Sequence, residues 1–148
     1  MGCNNKKRVT LLDKTFEVMI PADQIDRAVE QVAAQINADY ADRETPLFLG
    51  VLNGSFMFMS DLMKKVDFNC ELSFVKLASY AGTSTTGKVQ ELIGLKNNIE
   101  GRHVIVVEDI VDTGYTMQNM LETLGTREPA SIEIASLFLK PARLQVPV

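Results

Sequence analysis

Glu108, Asp109 and Asp112 put three carboxylates on one short stretch, and Thr113, Gly114, Tyr115 and Thr116 follow them directly. Two adjacent acids are suited to accept hydrogen bonds from sugar hydroxyls or to hold a hard cation such as Mg²⁺. Hydroxyl side chains and a glycine at the start of a helix suit a phosphate. The glycine lets the backbone come close, and the helix end offers unpaired N–H groups and the positive end of its dipole. Asp112 reads either as the N-cap of that helix or as a proton acceptor in a cleft, and the cap is the simpler of the two.

These residues need a rigid frame. Val104-Ile105-Val106-Val107 is an uninterrupted apolar run, the pattern of a strand covered on both faces in the middle of a parallel sheet. Met117, Met120, Leu121 and Leu124 repeat as one face of a helix that stops at Gly125. Residues 108–116 are therefore expected as a loop outside the carboxyl end of a buried strand, where open α/β sheets place their ligands.

The rest of the chain repeats the theme. After Pro21, residues Ile25, Ala28, Val29, Val32, Ala33, Ile36 and Tyr40 form one face of a helix. Leu47 to Leu52 reads as a buried strand running into Asn53-Gly54-Ser55, with Ser55 as the cap of an apolar helix from Phe56 to Val66, a plausible subunit contact. Taken alone, Asn53-Gly54 is a plain strand-to-helix turn. Cys70 to Ala78 reads as a third strand. It opens into residues 79–88, small and hydroxyl-rich with two glycines, which read as a mobile loop of the length used for lids. Val89 to Leu95 is expected to return antiparallel, and Ser131 to Leu139 is a further buried strand ending at Lys140, whose side chain on pattern alone simply reaches solvent. Residues 1–8 read as a polar end, 14–20 as a short strand, and the single histidine, His103, as structural or solvated. Strands alternating with helices imply an α/β fold in three layers, an open and mostly parallel sheet flanked by helices, as a single domain over residues 9–148.

Composition narrows the function. The chain has 148 residues, 46% hydrophobic and 23% charged, which is an ordinary globular balance. A net charge of −4 argues against broad nucleic-acid binding. Cys3 and Cys70 offer neither metal spacing nor a disulfide framework, and no apolar run approaches a membrane span or a signal peptide, so a cytoplasmic protein is expected.

Val-Ile-Val-Val-Glu-Asp-Ile-Val-Asp-Thr-Gly-Tyr-Thr, residues 104–116, resembles the phosphoribosyl-diphosphate (PRPP) binding motif of the type I phosphoribosyltransferases, and is most similar to the hypoxanthine-guanine branch. The resemblance implies that Glu108 and Asp109 face the ribose hydroxyls and the Mg²⁺ held there. It implies that Asp112 to Thr116, including Thr113, Gly114 and Tyr115, wrap the 5′-phosphate, and that Asp112 is the acid/base at N7 of the purine. Leu-Asn-Gly-Ser at 52–55 resembles the loop that binds pyrophosphate through the backbone of Asn53 and Gly54, often with a cis peptide before its second residue. Ser79-Tyr80 with the following Thr-Gly-Lys resembles the catalytic lid. Lys140 matches a lysine that donates to the oxygen at C6 of the base, favouring hypoxanthine or guanine over adenine.

The implied reaction is purine salvage: ribose 5-phosphate passes from PRPP to N9 of hypoxanthine or guanine, giving IMP or GMP and pyrophosphate, in a homodimer or homotetramer that binds neither nucleic acid nor membrane. The alternative is a regulator of the same fold that binds PRPP without turnover. Two departures from the family stand out. Members normally continue past the Lys-Pro into a small C-terminal hood, which is expected to be missing here, and Leu144 stands where many members carry an arginine.

Overall fold

The computed structural model describes residues 8–78 and 91–148. Its centre is a sheet of five strands in the order β5-β4-β3-β6-β7. Strands β3 (Leu47–Leu52), β4 (Glu71–Ala78), β6 (His103–Val111) and β7 (Ser131–Leu139) run parallel, and β5 (Glu91–Ile93) returns antiparallel on β4. Helices α1 (Ala22–Tyr40) and α2 (Phe56–Met63) cover one face, and α3 (Tyr115–Gly125) covers the other. The expected three-layer α/β architecture is thus present.

Alternation along the strands builds two cores. On one face, Phe48 of β3 and Ile105 and Val107 of β6 pack under Val29, Ala33, Ile36 and Tyr40 of α1 and Phe58, Met59 and Leu62 of α2. On the other, Leu47, Leu49, Val51, Val104 and Val106 meet Met117, Met120 and Leu124 of α3. Most of these residues are fully buried, and each such aliphatic or aromatic side chain contributes roughly 1.5–3 kcal/mol. Gly50 is a fitted position: a Cβ there would lie 2.7 Å from the Phe74 ring, so its absence lets β4 lay that ring across β3.

Several boundaries differ from expectation. The expected short strand is present as β2 (Lys14–Glu17), ending before residue 20, and it pairs antiparallel with an additional strand, β1 (Arg8–Leu11); of the expected polar end only Arg8 is among the described residues. The turn residue Leu12 of this hairpin adopts φ 55°, a conformation usually left to Gly or Asn, so only the neighbouring Asp13 marks the turn in the sequence. Helix α2 ends at Met63 rather than Val66: its last turn tightens, with Lys65 N donating to the Leu62 carbonyl at 2.9 Å. Just past this end, Lys64 pairs with Asp61 at 2.8 Å and Lys65 with Glu30 of α1 at 3.1 Å. Strand β7 is half-buried rather than buried, because it is an edge strand. His103 is structural, with Nδ1 2.7 Å from Ser131 Oγ and its ring edge-on to Tyr40.

The strand that carries the acids is also longer than its apolar run suggests. β6 pairs with β3 only from Val104 to Val107, but with β7 all the way to Val111. Glu108 and Asp109 therefore lie on the strand, held from one side by β7, and not in the following loop as expected. On the other side β3 has ended its pairing, and that gap opens the site.

Candidate active site

Three described segments meet at the carboxyl edge of the sheet: residues 53–54, 108–117 and 140–146. Alternation along β6 directs Glu108 toward the α3 face with Val104 and Val106, and Asp109 toward the α2 face with Ile105 and Val107. Beyond the last β3 partner the strand supplies its own acceptors. Glu108 Oε1 accepts from Asp109 N at 3.0 Å, and Asp109 Oδ1 accepts from Ile110 N at 2.9 Å.

Gly54, just after β3, lies directly against the Asp109 carboxylate, and any side chain at position 54 would overlap it. The peptide Leu52–Asn53 is cis, as the resemblance implies. Asn53 and Gly54 are exposed at this edge. Ser55 departs from its expected role: it occupies the N-cap of α2 but makes no side-chain cap bond, and its buried hydroxyl has no hydrogen-bond partner among the described residues.

Glu108 is the buried acid, 8% exposed. Its carboxyl is pushed up to about 7, first by loss of water, then by the hydrogen bond and the like charge of Asp109; the Asp109 N–H opposes the shift. Two acids in this state suit a divalent cation, whose charge would offset both penalties. Among the described residues no third acid, cysteine or histidine completes a protein cage. That donor set is the one Mg²⁺ favours when substrate oxygens and water fill its remaining positions.

The loop after β6 turns into α3 at Gly114, which has φ 90° and is itself the N-cap. Asp112 is therefore not the helix cap, which removes the simpler reading of that residue. A cavity of about 220 Å³ is lined by Glu108, Asp109, Asp112, Thr113, Gly114, Thr116 and Met117, with the first turn of α3 at its base. Thr113 is half-buried, while Thr116 and Tyr115 are exposed at the helix start. A hydroxyl-lined helix N-terminus has the chemistry that favours a phosphate.

Asp112 has a different neighbourhood. Lys140 Nζ lies 3.5 Å from its Oδ2, and Arg143 Nε lies 2.8 Å from its Oδ1. The arginine contact is charge pairing without hydrogen-bond alignment, since the buried Oδ1 has no hydrogen-bond partner among the described residues. Arg143 ends a 3₁₀ turn, Pro141–Arg143, that follows β7. Lys140 N donates to Val111 O at 3.0 Å and Gln145 N to Thr113 O at 2.9 Å, so residues 140–146 lie as a strap along the loop. Leu144 and Val146 close over Gly114, where a Cβ would meet both within 3.1 Å. Sequence reasoning missed Arg143 and the strap, because an arginine in an exposed Pro-Ala-Arg turn carries no local signal.

Glu108, Asp109, Asp112, Thr113, Gly114, Thr116, Asn53, Gly54 and Lys140 thus come to one edge. Ser79 and Tyr80, with the expected lid, lie outside the described residues.

Comparison with known proteins places this geometry in a family. The model of the phosphoribosyl transferase domain matches residues 21–148, and the chain belongs to that family. It is 43% identical over 136 residues to the hypoxanthine phosphoribosyltransferase of Salmonella typhimurium, covering 90% of this chain and 76% of that one. It is 40% identical over 127 residues to the hypoxanthine-guanine-xanthine phosphoribosyltransferase of Tritrichomonas foetus, covering 86% and 69%. The crystal structure of a hypoxanthine phosphoribosyltransferase from Staphylococcus aureus superposes with TM-score 0.80 at 35% identity, covering 89% of this chain and 72% of that one.

Proposed function

We propose that this protein is a purine-salvage enzyme that transfers ribose 5-phosphate from PRPP to N9 of hypoxanthine or guanine, giving IMP or GMP and pyrophosphate. The observation that carries the reading is the convergence of Gly54, the Glu108–Asp109 pair and the Asp112–Lys140 pair on one edge of the sheet.

In this reading the leaving bond joins C1 of the ribose to the pyrophosphate oxygen, and positive charge develops on the sugar as it breaks. Stabilising that charge, rather than supplying a nucleophile, is the main task of the site. The helix start at Thr113 to Thr116, with Tyr115 in its first turn, binds the 5′-phosphate. Glu108 and Asp109 accept from the ribose hydroxyls and would hold Mg²⁺, which when bound neutralises charge on the departing pyrophosphate. The backbone of Asn53 and Gly54 receives that pyrophosphate. As N9 bonds to C1, Asp112 accepts the proton leaving N7. Lys140 donates to the oxygen at C6, which the amino group of adenine cannot accept. Ser79 and Tyr80 are assigned to closing the site, on the resemblance alone.

Exposed Phe56, Met57 and Leu72 beside α2 support assembly into a homo-oligomer through that face, which sedimentation equilibrium tests. Among the described residues no helix is long and apolar enough to cross a membrane. The deciding experiment measures product formation from PRPP with hypoxanthine, guanine, xanthine, adenine and uracil in turn. Turnover with the 6-oxopurines is expected; turnover confined to adenine or uracil, or none with any base, overturns the reading.

A further inference from the structure

We infer that Arg143 is a positioning residue that stays with Asp112 during the reaction and thereby frees Lys140 for the base. The inference rests on the proposed roles of Asp112 and Lys140. Asp112 has two cationic neighbours of unequal closeness, Arg143 at 2.8 Å and Lys140 at 3.5 Å. They differ in kind as well. An ammonium on a flexible stem moves readily to another acceptor, whereas the planar guanidinium is a fixed counter-charge.

The reaction asks the two to separate. When a 6-oxopurine enters, Lys140 turns its ammonium to the oxygen at C6, and Asp112 must face N7 as a free acceptor. With Lys140 as its only cation, Asp112 would compete with the base for that ammonium. Arg143 removes the competition by keeping a charge at Oδ1. Because the contact is not an aligned hydrogen bond, the acceptor capacity of the carboxylate remains available for the proton from N7.

The alternative is that Arg143 only fastens the strap. Backbone bonds already do this, at Lys140 N to Val111 O and Gln145 N to Thr113 O, with Leu144 and Val146 packed over Gly114. Removing the guanidinium should therefore leave the strap in place.

The test compares Arg143→Gln and Arg143→Lys in the wild-type and Asp112→Asn backgrounds. Arg143→Gln is expected to lower kcat about tenfold and raise the KM for hypoxanthine about tenfold, with the KM for PRPP held within about twofold. Arg143→Lys, which keeps the charge but not the planar guanidinium, should recover these losses only in part. In the Asp112→Asn background Arg143→Gln should change turnover by less than about twofold, because the two residues act as a unit. Wild-type kinetics in Arg143→Gln would overturn the inference, as would an equal loss in the Asp112→Asn background. So would a joint rise in both KM values with a lowered melting temperature, the behaviour of a strap fastener. The functional reading fails separately: if Asp112→Asn alone keeps wild-type turnover, Asp112 is not the acceptor and there is nothing for Arg143 to position.

Discussion

Glu108 and Asp112 are the same chemical type, a few residues apart on one segment, and the fold treats them oppositely. Glu108 is buried on β6 opposite Ser136 of β7, has Asp109 as its charged neighbour, and is held near 7 by burial. Asp112 sits half-exposed past the end of the strand, between Lys140 and Arg143. The fold has supplied Asp112 with cations and left Glu108 in need of one. Under the proposed roles, the carboxylate that accepts a proton from the substrate would be furnished by protein, whereas the one that meets a metal would be completed by substrate and Mg²⁺.

Exchanging the charge of Asp112 tests one side of this contrast most severely. Asp112→Asn keeps the shape and removes the proton acceptor, so turnover should fall at least about a hundredfold while PRPP affinity stays within about threefold. Steady-state rates and calorimetric binding read the two effects. A loss of stability with turnover retained would instead return Asp112 to a purely structural role, one that Gly114 at the N-cap already argues against.

The other side of the contrast is a matter of pH. The Glu108 carboxyl is raised from 4.5 to about 7 in the fold, so the folded state holds the proton more tightly than the unfolded chain. Its contribution to stability is then fully present below the ordinary carboxylate value and is lost as pH rises through 7, by at most roughly 3 kcal/mol. Urea unfolding of the metal-free protein between pH 4.5 and 8 should show this decline. Glu108→Gln should flatten it, and so should Mg²⁺ with PRPP, because a bound cation favours the charged form. A metal-free protein whose stability rises steadily across that window would break the comparison.

Gly54 joins the two halves of the site, and a methyl group there tests the joint. Gly54→Ala forces the loop and the Asp109 carboxylate apart, which should weaken PRPP and pyrophosphate binding about ten- to thirtyfold while the fold survives. Isothermal titration with pyrophosphate and Mg²⁺ reads this directly. Unchanged affinity would mean that the loop at 53–54 does not share a ligand with Asp109.

What was readable in the sequence follows from where each signal is stored. The apolar run at 104–107, the helical repeat of Met117, Met120 and Leu124, and the strand at 47–52 are local patterns, and each element formed where its pattern stood. Glu108 and Asp109 were recognised as a pair but assigned to a loop. Their strand conformation is imposed by β7, a partner far along the chain. The hairpin turn at Leu12 and the early end of α2 were hidden for similar reasons, since neither is marked by Gly, Pro or Asn. Arg143 was illegible altogether: its meaning comes from a strap that folds back onto Asp112, and only the three-dimensional path brings those two together.

The smallest expected effect concerns the more loosely held of the two cations. Lys140→Gln leaves Arg143 with Asp112, so stability should change by less than about 1 kcal/mol, as befits a half-exposed pair at 3.5 Å. The loss should appear instead in base choice. A glutamine amide can donate to an oxygen or accept from an amino group, so the preference for hypoxanthine over adenine, as the ratio of kcat/KM values, should narrow about tenfold. The change belongs in the KM for the base, with PRPP unaffected, because the lysine lies on the Asp112 side of the site and not with Glu108. An equal fall for both bases would make Lys140 a general electrostatic element, and would leave Asp112 dependent on both cations rather than on Arg143 alone.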